Sequence, residues 1–183
     1  SKYEDAFTCL NSYLLNEGIY IKVKKNIKIT QPIHIVNIVT NSGVAVNSRL
    51  NLELEKFSEL TVLQSFIGPN SSSSFVNHVT EVNLSENASL HIDKHQDYKD
   101  VINLVSEYIH QDSNSSFTIN TFSYSGELIR NGLNVDVDGQ NCHTELNGVF
   151  TVNNNDYIDN HTLVNHIKPN CQSHENYKGI IKD

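Results

Sequence analysis

From Leu50 onward the chain alternates apolar and polar residues in short runs separated by polar bends. Leu52 and Leu54 precede a bend, and Ser58, Leu60 and Val62 follow it. The same order recurs as Val82 and Leu84 before Ala88, Leu90 and Ile92, and as Tyr108 and Ile109 before Ser115, Phe117 and Ile119. It returns as Val135 and Val137 before Cys142, Thr144 and Leu146. Strict alternation reads as half-buried strand, because successive side chains on a strand point to opposite faces. The small residues that lead each second strand are 30, 27 and 27 residues apart, and a further 29 reaches Cys171. Asn87, Asn114, Asn141 and Asn170 precede four of the five, with Phe57 in the remaining copy. Asparagine suits such a bend because it tolerates left-handed backbone.

A repeat of this length containing strands and no helix predicts a parallel β-helix rather than a propeller, whose blade takes about 40 residues. Five or six turns at about 4.8 Å each would give a short rod. Stacked asparagines should exchange side-chain hydrogen bonds along its axis. The register predicts Cys142 and Cys171 at equivalent positions on adjacent turns, as small packing residues. Gly126, Gly132 and Gly139 are spaced as bends, and Gly148 interrupts the strand after Cys142.

Residues 1–49 differ. Ala6, Phe7, Leu10, Tyr13 and Leu14 fall at helical spacing, which predicts one helix over Lys2–Asn16, ended by Glu17-Gly18. Ile19–Ile29 then alternates as a strand, with Lys22, Lys24, Lys25 and Lys28 outward, and Gln31-Pro32 breaks it. This predicts residues 1–49 as an N-terminal helix with capping strands. Residues 50–183 are the expected β-helix core.

Composition narrows the function. The 183 residues carry a formal charge of -8, with arginine only at 49 and 130, which argues against nucleic-acid binding. No apolar run approaches the roughly 20 residues that span a bilayer, and residues 1–10 hold no secretory apolar segment. Three cysteines without a Cys-x-x-Cys argue for a reducing compartment over a disulfide framework.

Candidate chemistry is sparse. Asp159, His161, His166 and Cys171 lie in the densest polar cluster, and His166 with Cys171 are the candidate metal residues. Strand alternation, however, points His166 away from His161, and Cys171 already belongs to the small-residue ladder. His34, His78, His91, His95, His110, His143 and His174 read as turn or surface residues, Ser71–Ser74 as a polar loop, and Asp136 with Asp138 as an outward solvated pair. No catalytic or cofactor-binding set emerges.

Two segments carry a resemblance: N-G-L-N-V-D-V-D-G-Q-N-C-H-T-E-L-N-G-V-F and D-N-H-T-L-V-N-H-I-K-P-N-C-Q-S-H-E-N-Y-K-G-I-I. They resemble the SufB/SufD family of iron–sulfur cluster assembly proteins. Leu128–Val135 and Asp159–Thr162 resemble its SufD branch more than its SufB branch. Weaker likeness extends to Leu10-Asn11, Pro32-Ile33, Arg49 and Phe75–Glu81. The resemblance implies an all-β, right-handed parallel β-helix (solenoid) with a short N-terminal helix as cap. It implies a non-enzymatic scaffold, partnered by SufB-type and SufC-type (ATPase) subunits, on which the complex assembles an iron–sulfur cluster. It implies a bacterial cytoplasmic or plastid/apicoplast stromal setting. Arg130, Asp159, His166, Ser173, Tyr177, Lys178 and Gly179 match motif positions, where structural roles are expected. The motif is expected to continue past Asp183, with cluster-proximal residues beyond it, and an open last turn could pair chains as a homodimer. Two alternatives stay open: a SufB-like, cluster-carrying paralogue, and a carbohydrate-binding or carbohydrate-active β-helix.

Overall fold

The computed structural model describes residues 5–68, 73–153 and 156–182. The expected Lys2 start of the helix, Ser71, Ser72 and Asp183 lie outside them. Within the described residues, twelve strands follow one helix: α1 (Ala6–Tyr13), β1 (Glu17–Val23), β2 (Ile33–Ile38), β3 (Ala45–Leu54), β4 (Glu59–Ile67), β5 (Ser74–Leu84) and β6 (Ser89–Asp97), then β7 (Val101–Gln111), β8 (Ser116–Ser125), β9 (Leu128–Val137), β10 (His143–Asn153), β11 (Tyr157–His166) and β12 (Gln172–Lys182).

Odd strands form one parallel sheet in chain order and even strands another. Each turn therefore contributes one strand to each sheet, giving six turns of a β-solenoid. β9 and β10 belong to different sheets and make up one turn. β3 runs unbroken across residues 49 and 50, and β1 and β2 pair with it and with β4 as a first turn.

The bends follow the repeat. Phe57, Asn87, Asn114, Asn141 and Asn170 all have φ between 57° and 63°, and Asn26 joins them at 64°. Asn141 Nδ2 donates to Asn114 Oδ1 at 3.3 Å, the expected exchange along the axis. Asn26 also corrects the Ile19–Ile29 strand: β1 ends at Val23, and Lys24 and Lys25 lie at the bend. Lys22 instead bridges outward to Glu53 and Glu55 at 2.7 and 3.1 Å, and Lys28 pairs with Glu59. Gly139 is a bend residue, as expected, whereas Gly132 and Gly148 lie inside β9 and β10.

Phe57 is the one bulky residue in this left-handed ladder, and its side chain is about half exposed. A left-handed conformation costs an L-residue roughly 1–2 kcal/mol, and asparagine less. Phe57→Asn is therefore expected to stabilise the fold by about 1 kcal/mol, read as a higher urea midpoint. A lower midpoint would show that ring contacts outweigh the strain.

The core has two apolar parts. Leu50, Leu52, Leu54, Leu90, Ile92, Phe117, Ile119 and Leu146 stack beside the asparagine bends. Val39, Phe66, Val76, Tyr98, Val101 and Val105 fill the opposite side.

The helix is shorter than expected and lies along the flank of the odd-strand sheet rather than over the end of the rod. Asp5 caps it by accepting from the Phe7 and Thr8 amides. Asn11 Nδ2 donates to the Ser48 and Asn77 carbonyls, and Thr8 Oγ1 meets the Tyr108 hydroxyl at 2.8 Å. The residues it buries are Thr8 and Asn11, while Phe7, Leu10, Tyr13 and Leu14 stay partly or largely exposed. Burial pushes the Asp5 carboxyl up, but hydrogen bonds from Tyr108, Thr8 and the Phe7 amide hold it below its ordinary range. Tyr108 is pushed up to about 12, by burial first and then by Asp5.

Candidate functional site

Between the two apolar parts the lumen is polar. On the even-strand sheet, strand pairing stacks Ile35, Gln64, Lys94, Thr121, Gly148 and Tyr177 in one inward column. On the facing sheet, Leu50, Thr80, Glu107, Leu133 and Thr162 form the matching column. Across the gap Lys94 Nζ donates to Glu107 Oε2 at 2.6 Å, with both side chains at most 2% exposed. A charged pair so far from water persists only if each ion holds the other.

His78 lies beside this pair. Gln64 Nε2 lies 2.8 Å from its Nε2, Ser48 Oγ lies 2.7 Å from its Nδ1, and Phe66 packs edge-on with centroids 5.1 Å apart. Burial, and secondarily the Lys94 charge, push its pKa down to about 3. Its placement corrects the reading of this histidine as a surface residue. Further along the lumen, Gln96 and Asn131 exchange hydrogen bonds, Ser123 donates to Gln96, and Asn131 donates to Asn160.

Tyr177 closes the column from the last turn. Its ring folds over Gly148, where an added Cβ would meet ring carbons at 2.2 Å. Burial pushes its hydroxyl far above the ordinary tyrosine range, and the Glu107 and Glu175 carboxylates push the same way. Gly179 similarly makes room for the Phe150 ring. Gly148 is thus not a break in the strand but the seat of Tyr177.

The other motif residues share these last two turns. Arg130 Nε lies 3.6 Å from Asp159 Oδ2, its cross-strand partner. His166 Nε2 lies 3.0 Å from Ser173 Oγ, and Thr162 Oγ1 donates to Glu175 Oε1 at 2.7 Å. Cys171 Sγ donates to the Gly139 carbonyl at 3.1 Å. His161 is exposed on a groove with Arg130, Gly132 and Asn134, on the face opposite His166. Among the described residues, no three His, Cys, Asp or Glu side chains gather closely enough to hold a metal ion.

Five other histidines line the outside of the even-strand sheet. His91 Nε2 lies 2.9 Å from Asp93 Oδ1, and His143 Nε2 lies 3.0 Å from Glu145 Oε1. His95 stacks on Phe122, His174 approaches His143, and His34 meets Ser65. The seam residues Gln64, Lys94 and Glu107 were not singled out by sequence, although Lys94 and Gln96 continue the phase of Leu90 and Ile92. Among the described residues, no helix is long and apolar enough to cross a membrane.

Residues 37–183 match the family described as SUF system FeS cluster assembly, SufBD core domain. The chain is 25% identical to the iron–sulfur cluster assembly protein SufD of Escherichia coli, over 98% of this chain and 44% of that protein. It is 24% identical to a SufBD family protein of Mycobacterium leprae, over 88% of this chain and 41% of the other. It is 28% identical to one of Pyrococcus horikoshii, over 85% and 35%. The chain thus spans less than half the length of each of these curated relatives.

Proposed function

This chain belongs to the SufBD core-domain family of the SUF iron–sulfur cluster assembly system, and we propose that it is the β-helix core of a SufD-type, non-enzymatic scaffold subunit. The observation that carries this reading is the match to a SufD protein along 98% of the chain. Its partners are a SufB-type subunit and a SufC-type ATPase, and the iron–sulfur cluster is the cargo of the assembled complex rather than a resident cofactor. The setting is bacterial cytoplasm or plastid/apicoplast stroma.

The test uses the full-length protein co-expressed with SufB-type and SufC-type subunits from the same source. Stoichiometric copurification with both is expected, and anaerobic reconstitution of the protein alone should leave no stable cluster absorbance. A cluster retained by the protein alone would favour a SufB-like role. Failure to copurify, together with oligosaccharide binding, would favour a carbohydrate-directed β-helix.

A further inference from the structure

Cys142 and Cys171 occupy equivalent places on the fifth and sixth turns. Each follows a left-handed asparagine, Asn141 or Asn170. The strands they lead pair from the next residue, His143 with Gln172, and the Gln172 amide donates to the Cys142 carbonyl at 3.0 Å. Their thiols repeat the same contact one turn apart. Cys142 Sγ donates to the Asp112 carbonyl at 3.2 Å, and Cys171 Sγ to the Gly139 carbonyl at 3.1 Å. Side chains held in parallel on neighbouring turns set the two sulfurs side by side along the axis. Cys142 is buried and Cys171 partly exposed, whereas Cys9 is exposed on α1, against the other sheet.

We propose that Cys142 and Cys171 form a reversible dithiol–disulfide pair that staples the fifth turn to the sixth. Neighbouring parallel strands lie about 4.8 Å apart, inside the roughly 4.4–6.8 Å that a disulfide tolerates between Cα atoms. Parallel side chains hold their Cβ atoms at nearly that same spacing, above the mean of about 3.8 Å for a relaxed disulfide. Bond closure therefore draws the two turns together, and strain of this kind makes a disulfide easier to reduce. The bond serves as a switch rather than a permanent staple.

The oxidant is a small disulfide of the glutathione type. The Cys171 thiolate attacks one of its sulfurs, the small disulfide's S–S bond breaks, and one small thiolate leaves. Cys142 then loses its proton and attacks the Cys171 sulfur of the mixed disulfide, expelling the second small thiolate. Two cysteine thiols are oxidised, one small disulfide is reduced to two thiols, and the two protons end on those thiols. Burial, first among the causes, pushes the Cys142 thiol up, so the second step, which needs its thiolate, quickens as pH rises.

The experiment equilibrates the reduced, folded full-length protein with glutathione buffers of increasing oxidised fraction, quenches with acid, alkylates and maps peptides. Among the three cysteines described, Cys142 should become linked to Cys171, while Cys9, with no neighbouring thiol, carries at most a glutathione adduct, and dithiothreitol should restore all three thiols. Cys142→Ser should stop at a mixed disulfide on Cys171, and Cys171→Ser should leave Cys142 unmodified. The proposal is overturned if native Cys171 stops at the glutathione adduct or fails to react. It is equally overturned if the link forms only in urea, or if oxidation abolishes the β-sheet circular dichroism.

Discussion

Lowering the pH from 7 to 4 is expected to cost the fold roughly 3 kcal/mol through His78 alone. Its folded pKa lies near 3 and its ordinary value is 6.5. The unfolded chain therefore takes up a proton that the folded chain refuses. The contribution is complete above pH 6.5 and is lost as pH falls from there towards 3, reaching roughly 5 kcal/mol below the folded pKa. Both ring nitrogens are already engaged. With the amide nitrogen of Gln64 donating to Nε2, Nδ1 carries the proton and donates to Ser48 Oγ. A second proton would set one donor against another beside the Lys94 charge. His78→Gln should flatten the fall in urea-derived stability between pH 6.5 and 4. Equal slopes for the two proteins would sink this assignment.

Breaking the Lys94–Glu107 pair from either side is expected to cost about 3–5 kcal/mol, because the ion left behind has no water and no counter-charge. Lys94→Met and Glu107→Gln should each lower the urea midpoint strongly. The double variant Lys94→Met, Glu107→Leu should recover most of that loss, since apolar replacements at a buried pair restore packing without a desolvation cost. Single variants costing under about 1 kcal/mol would show instead that water reaches the pair. The two predictions are coupled. Removing the Lys94 charge takes away one of the causes depressing His78, so Lys94→Met should also narrow the acid-sensitive window of the surviving stability.

The repeat was legible because the physics that builds it is local and periodic. Asn87, Asn114, Asn141 and Asn170 announce the left-handed bends, and the small residues after them announce the stacking, Cys142 over Cys171 included. The seam was not legible for a different reason. Lys94 shares its phase with Leu90 and Ile92, but charge is by default placed outward, and its partner Glu107 belongs to the other sheet, 13 residues on. A cross-lumen partnership leaves no period in the sequence. Nothing marked His78 either, since what buries it is the cross-lumen contact with Gln64 and Phe66. The helix misled because its apolar spacing suggested an apolar seat. The sheet face beneath offers the Ser48 and Asn77 carbonyls instead, and these select Thr8 and Asn11 for burial.

The two corners of the rod also differ as places where new sequence could be accepted. At the asparagine corner, backbone hydrogen bonds tie successive bends together, the Phe57 amide donating to Glu86, Asn87 to Ser113 and Asn114 to Gln140. These bends vary by a single residue, four at 55–58, 85–88 and 112–115 and five at 138–142 and 167–171, and the strands on either side stay in register. At the opposite corner the connections run from Ile67 to Ser74, Asp97 to Val101, Ser125 to Leu128 and Asn153 to Tyr157, of visibly unequal length. Lineages of this fold should therefore change length mainly along the opposite edge, or by whole turns excised between equivalent asparagines. Peptide tags and cross-linking handles inserted for assembly studies belong on the variable edge, where the architecture already absorbs such differences.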